Sequence, residues 1–386
     1  MNPRRALAAT TIIALLIAGC GSDDEGAESA VVSEVVAAYA DGVHASYSAS
    51  LESATAMDEA IDAFVAAPSQ ATMEAARQAW LDARGDYGLT EAFRFYGGPI
   101  DDEDSGPEGL INAWPMDEAY VDYVEGNPQA GIVNDPGTYP TIDAALLTEL
   151  NESGGETNIS TGWHAIEFLL WGQDLDESGP GDRPVTDYTE ADNADRRATY
   201  LAVASDLLLT HLQGLVDAWA PDVSDNYRSE FLALDPNAAL TNIVTGIGEL
   251  SRGELAGERM NVAYSERSQE DEHSCFSDNT TADIVANASG IAMVLTGEYP
   301  GSSGPGVLDA IDAVDAELAS QLRGEVDASV AATQAIPAPF DQHLREGVPD
   351  SDPGRASILT AIQALEAQTP TIVAGAEALG LQINVS

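Results

Sequence analysis

Apolar residues recur every three to four positions along most of this chain, and strict apolar–polar alternation is rare. That period is the helical one. It predicts helices over residues 29–65, from a Ser69 cap to about residue 96, and over 141–150, 190–219, 236–267, 280–295, 306–332 and 353–379. A polar stretch rich in Gly and Pro at 97–140, and loops at 173–187, 269–279, 299–305 and 336–352, separate them. The expected fold class is all-α, with two helical-bundle domains over 30–180 and 185–386, divided near residues 175–190. Each half pairs a long Arg-containing helix with an acidic loop, which hints at a duplication. The match between the halves is too weak to count as a repeat.

One apolar run, TGWHAIEFLLWG at 161–172, carries two ionisable groups, His164 and Glu167. On a helix, positions three apart share a face. Burying such a pair unpartnered is costly, so it needs hydrogen-bond partners or a metal. Imidazole with carboxylate suits iron, zinc, manganese or copper and selects none of them. The alternative is a structural pair that ties this helix to a neighbour. Ser160 or Thr161 is expected to cap the helix and Gly172 to end it. Gly162 permits a close helix approach or a special backbone angle, or simply begins the helix. Trp163 and Trp171 read as core.

The ends add a location. Residues 1–5 are basic, 6–18 are apolar but too short for a stable span, and Ile17-Ala18-Gly19-Cys20 resembles a bacterial lipobox. Residues 1–19 are therefore expected to be a lipoprotein signal, Cys20 the lipidated residue and 20–29 a tether. Acyl chains contribute roughly 0.8 kcal/mol per buried methylene, enough for several to hold a soluble domain on a membrane. The expected place is the cell envelope, facing the periplasm. Gly rather than Asp at position 21 leans towards the outer membrane.

The net charge is −50, and all 15 basic residues are Arg. Such a chain does not bind nucleic acid through a basic surface. Adaptation to a salty environment explains the acidity; a field that concentrates cations near the protein is the functional alternative. With only Cys20 and Cys275, a disulfide scaffold is excluded.

Three blocks resemble the imelysin family: YGLTEAFRFYGGPID at 87–101, GWHAIE followed by Trp171-Gly172, and QEDEHSCFSDNT at 269–280. They lie in family order across most of the mature chain. The resemblance implies an all-helical envelope protein linked to iron acquisition, with a metal ion as cofactor: iron favoured, zinc or copper also compatible. Some members are described as metallopeptidases. Metal-binding domains of ferrous-iron uptake systems share the G-x-H-x-x-E helix, an acidic residue before it and an Ile-Asp pair, which here match Glu91 and Ile100-Asp101. The expected ligands are thus His164, Glu167, Glu91 and Asp101. The alternative for Glu91 is a salt bridge to Arg84 or Arg94, and for Asp101 a loop cap. His273, Glu270 and Asp278 form a secondary candidate cluster whose bland reading is a helix-capping loop. Cys275 reads as buried, and His44, His211 and His343 as structural.

H-E-x-x-H, G-x-S-x-G and C-x-x-C-H are all absent. If Glu167 holds a metal it is not free to act as base. The residues therefore favour a metal-binding uptake lipoprotein, with the membrane and iron-uptake components as partners. A metallopeptidase and a non-catalytic interaction protein are the alternatives. Metal binding is expected to weaken as the imidazole protonates, near its ordinary pKa of about 6.5.

Overall fold

The computed structural model describes residues 22–175 and 179–385, with side chains from residue 30 onward. The expected signal segment and Cys20 lie outside the described residues. Helix α1, Ser22–Ala66, begins inside the stretch read as tether. It buries Val36, Tyr39, Val43, Tyr47, Ala54, Met57, Ile61 and Phe64. Those positions recur at helical spacing, which is why one face stays apolar for many turns.

Helix α2, Gln70–Thr90, starts at a capping box in which the Ser69 hydroxyl accepts the Thr72 N–H. A 3₁₀ turn, Glu91–Phe93, continues it. Three short helices cross the Gly/Pro-rich region, α3, Glu108–Ile111, α4, Glu118–Val121, and α5, Gly131–Asn134, and α6, Ala144–Leu150, is the helix expected over 141–150. The motif helix α7 is Gly162–Trp171, and α8 is Ala194–Ala218. Then follow α9, Tyr227–Leu232, and α10, Pro236–Glu249.

The helix expected over 236–267 is continuous but not uniform. Residues Leu250–Val262 are π-helical before α11, Ala263–Glu266. The wider π turn brings residues five apart together, and Glu254 and Arg259 form an ion pair across it, at 2.8 Å. Helix α12 is Thr280–Thr296. The helix expected over 306–332 is instead two, α13, Val307–Val314, and α14, Ala316–Gln334. Asp315 breaks it: its backbone leaves the helical region, with φ −149° and ψ 89°, and its carboxylate caps the Leu318 N–H at 3.0 Å. Helix α15, Pro353–Ala378, is the last among the described residues. The strands among the described residues are one two-residue hairpin, Glu298–Tyr299 with Ser302–Ser303. The fold is all-α.

Helix α1 packs on α2 from the first half and on α8, α10 and α13 from the second. The buried apolar residues form one cluster running from Val32 to Leu381. A division into two bundles is therefore not visible as two cores. Among the described residues no helix is long and apolar enough to cross a membrane.

Candidate metal centre

All ten residues of α7 are buried, so the motif helix is a central strut with no solvent face. Trp163 and Trp171 pack edge-on against Trp80 of α2, with ring centroids 6.1 and 5.4 Å apart. Both are core. Gly162 takes φ 81°, and a Cβ there would lie 2.3 Å from the Ile111 carbonyl oxygen at the end of α3. Both the backbone angle and the close approach demand glycine. Thr161 holds the cap position, but its hydroxyl donates to the Leu110 carbonyl at 3.0 Å instead. Gly162→Ala is expected to cost about 2–3 kcal/mol, from backbone strain plus displacement of α3. Urea unfolding measures it, and a midpoint equal to wild type would mean that α7 does not start in this conformation.

His164 and Glu167 meet as their spacing requires: Nδ1 lies 3.0 Å from Glu167 Oε2. The other carboxyl oxygen, Oε1, accepts the Ser277 N–H at 2.9 Å and the Ser277 hydroxyl at 2.7 Å. Both Glu167 oxygens are thus engaged. The atom left over is His164 Nε2, buried and without a partner among the described residues. The His273 ring stands edge-on to the His164 ring at 4.8 Å, and Trp114 covers it from another side, also at 4.8 Å. His273 repeats the arrangement, with Nδ1 2.9 Å from Asp283 Oδ2. Asp283 also accepts the Ser274 hydroxyl at 2.6 Å and pairs with Arg84 at 3.1 Å. The Arg84 guanidinium also lies 3.1 Å from His273 Nδ1 and 3.4 Å from its Nε2, so this ring, unlike His164, has a neighbour at both nitrogens.

Burial, then the neighbouring His273 and Arg84, push the His164 imidazole well below its usual range. Burial, then Arg259 and Arg84, do the same to His273. Both rings are neutral at neutral pH. Burial pushes the Glu167 carboxyl up to about 8, against the bonds from Ser277. At neutral pH the Glu167–His164 pair therefore holds a proton that a cation would have to displace.

Glu91 sits elsewhere in the same buried network. Its Oε2 accepts from Arg259 at 2.7 Å and Arg94 at 2.8 Å, and its Oε1 accepts the Asn112 amide at 3.1 Å. Asn112 in turn accepts from Arg84 at 2.6 Å. Burial alone would raise the Glu91 carboxyl; the two guanidiniums outweigh it and hold it well below the carboxylate range. Asp101 accepts the Phe95 N–H, closing the loop where Phe95 takes φ 71°. Of the four expected ligands the structure brings His164 and Glu167 together, and gives Glu91 to arginines and Asp101 to a loop. Among the described residues no three His, Cys, Asp or Glu side chains gather as a ready-made metal cage. The physical reason is charge balance: a buried carboxylate beside two guanidiniums is already neutralised.

Within the third block, His273 joins the centre, Glu270 is exposed and Asp278 is half-buried at φ 59°. Cys275 is buried, and burial pushes its thiol up. His343 pairs with Asp352 at 3.1 Å. Ser277, Asp283, Arg259, Asn112 and Trp114 escaped the sequence reading. Ser277 was within reach, since it lies in the block that resembles the family, but nothing in its spacing ties it to Glu167.

A cavity of about 550 Å³ opens against this centre. Its wall includes His273, Trp114 and the network arginines Arg94 and Arg259, with Glu108 and Glu254 beside them. Two imidazoles, each backed on Nδ1 by a carboxyl group, are compatible with a borderline cation such as ferrous iron, zinc or copper.

A family model described as Imelysin matches residues 43–372. Iron-regulated protein A of Synechococcus elongatus is 28% identical over 372 residues, covering 93% of this chain and 89% of that protein. Two solved structures share the fold. A protein described as an iron-regulated protein A precursor, from Parabacteroides distasonis ATCC 8503, superposes with a TM-score of 0.69 at 20% identity, over 91% of this chain and 95% of its own. An imelysin-like protein from Psychrobacter arcticum 273-4 gives 0.61 at 14% identity, over 93% and 97%.

Proposed function

The chain belongs to the imelysin family, and on that footing we propose that it is an envelope-anchored metal-binding lipoprotein of iron uptake. The observation that carries the metal reading is the pair of neutral imidazoles, His164 and His273, each with Nδ1 on a carboxyl group and with His164 Nε2 unpartnered. A carboxylate behind a ligating ring orients it and raises its basicity. His164 is the primary ligand, His273 the second, and Glu167 acts through His164 Nδ1 as its support. Two rings fall short of the four donors that close a structural site. A metal held here keeps positions for donors from outside the chain, which suits a protein that receives and passes on its cargo. Iron is the favoured metal, in keeping with the names of the relatives.

A binder fits better than a hydrolase. Hydrolysis at a metal needs a carboxylate free to take a proton from water. Both oxygens of Glu167 are committed to His164 and Ser277.

When the pair takes a cation, one proton leaves it. Affinity should therefore rise about tenfold per pH unit until the Glu167 carboxyl ionises near pH 8, then level off. This moves the expected dependence upward from the ordinary imidazole range. Competition titration with Co²⁺ across about pH 6 to 9 measures it. A response confined to the region near 6.5 would place the competing proton on an imidazole; a flat profile would remove the site.

The anchor is tested separately. Cys20→Ser should release the protein from the membrane fraction. A wild-type N-terminus found unacylated by mass spectrometry would end the lipoprotein reading.

A further inference from the structure

The cavity against the centre has an outer rim of a different character from its floor. Arg94 and Arg259 on the floor are ion-paired with Glu91, Glu108 and Glu254. At the rim, Glu152, Glu156, Glu258 and Asp271 line the wall and form no ion pair among the described residues. They come from opposite sides: the loop before α7 supplies two, the π-helical segment one and the loop before α12 one. Glu152, Glu156 and Glu258 are exposed. Inside them the wall becomes Trp114 and His273, and both of these rings touch His164, whose Nε2 has no partner.

We propose that this cleft is the route by which a hydrated divalent cation reaches His273 and His164, with the unpaired rim carboxylates drawing it in and Trp114 forming the inner wall it must pass. The inference rests on the metal reading above and adds the path and the residues that set its rate. Unpaired charges of one sign around a concave wall focus the field and raise local cation concentration, by roughly 10- to 1000-fold in association rate. The overall charge of −50 acts from all sides; a concave rim acts at one place. Carboxylates that steer without ligating change arrival, not departure.

The probe is Co²⁺ alone, mixed rapidly with the full chain at low and high salt and followed by its visible absorption. The variant Glu152→Gln/Glu156→Gln/Glu258→Gln should bind Co²⁺ at least about tenfold more slowly at low ionic strength. The difference should shrink as salt approaches about 1 M, where the screening length is about 3 Å. Its dissociation rate should match wild type. A control with the same charge change, Asp312→Asn/Glu317→Gln/Asp327→Asn on exposed positions of α13 and α14, should retain the wild-type association rate. Trp114→Ala, which widens the inner wall, should speed both arrival and departure. Equal association rates in the rim variant and wild type overturn the route. A faster departure with unchanged arrival also overturns it, by making these carboxylates ligands. If wild type binds no Co²⁺ at all, the metal reading itself falls and the route with it.

Discussion

His164→Ala should abolish tight metal binding, lowering affinity by more than about 100-fold, since losing even an outer-shell support of a ligand costs about 10- to 100-fold. The ring is buried, and its Nε2 is the one donor atom of the pair that no group among the described residues occupies. Removing it also leaves Glu167 without its Nδ1 partner. The helix should survive, because α7 is held by Trp163, Ile166, Phe168, Leu169 and Leu170, all fully buried. Each contributes about 1.5–3 kcal/mol by burial. Circular dichroism should therefore match wild type while Co²⁺ titration does not. His211→Ala, outside the centre, should change neither. Unaltered affinity in the His164 variant would move the site elsewhere.

Glu91→Ala should be the most destabilising of the site substitutions, by about 3–5 kcal/mol, the usual cost of leaving a buried charge uncompensated. Two guanidiniums, Arg94 and Arg259, and the Asn112 amide converge on this one carboxylate. Urea unfolding gives the value from the shift in midpoint. The pH dependence has a definite sign. Folding lowers the Glu91 pKa, so its contribution is fully present above the unfolded carboxyl value of about 4.3. It is lost as pH falls below that towards the folded value. The variant should show a flatter loss of stability in acid than wild type. If Glu91→Ala unfolds like wild type yet binds metal poorly, Glu91 is a ligand and the arginines release it on binding.

Much of the fold was legible because helix formation here follows local pattern. The apolar period of α1, the Ser69 box and the Asp-Pro starts of α10 and α15 are short-range features. The break at Asp315 was not legible, since the apolar period runs through it and the aspartate's choice to cap depends on how α13 and α14 pack. The π-helical stretch was hidden for a similar reason: its composition is that of an ordinary helix.

The candidate centre divides the same way. His164 and Glu167 are three residues apart on a helix, so the sequence by itself determined that they would touch, and that Gly162 beside them was a position of interest. Only the tertiary structure decided what each pairs with next. Glu167 meets Ser277 from 110 residues away, and Glu91 meets Arg259 from 168. No local period encodes contacts at that range. Burial then sets the chemistry. Two glutamates of the same ordinary acidity are driven in opposite directions, Glu91 down beside two guanidiniums and Glu167 up in an apolar strut. Desolvation and neighbouring charge are properties of the packed interior, and the chain acquires them only when it folds.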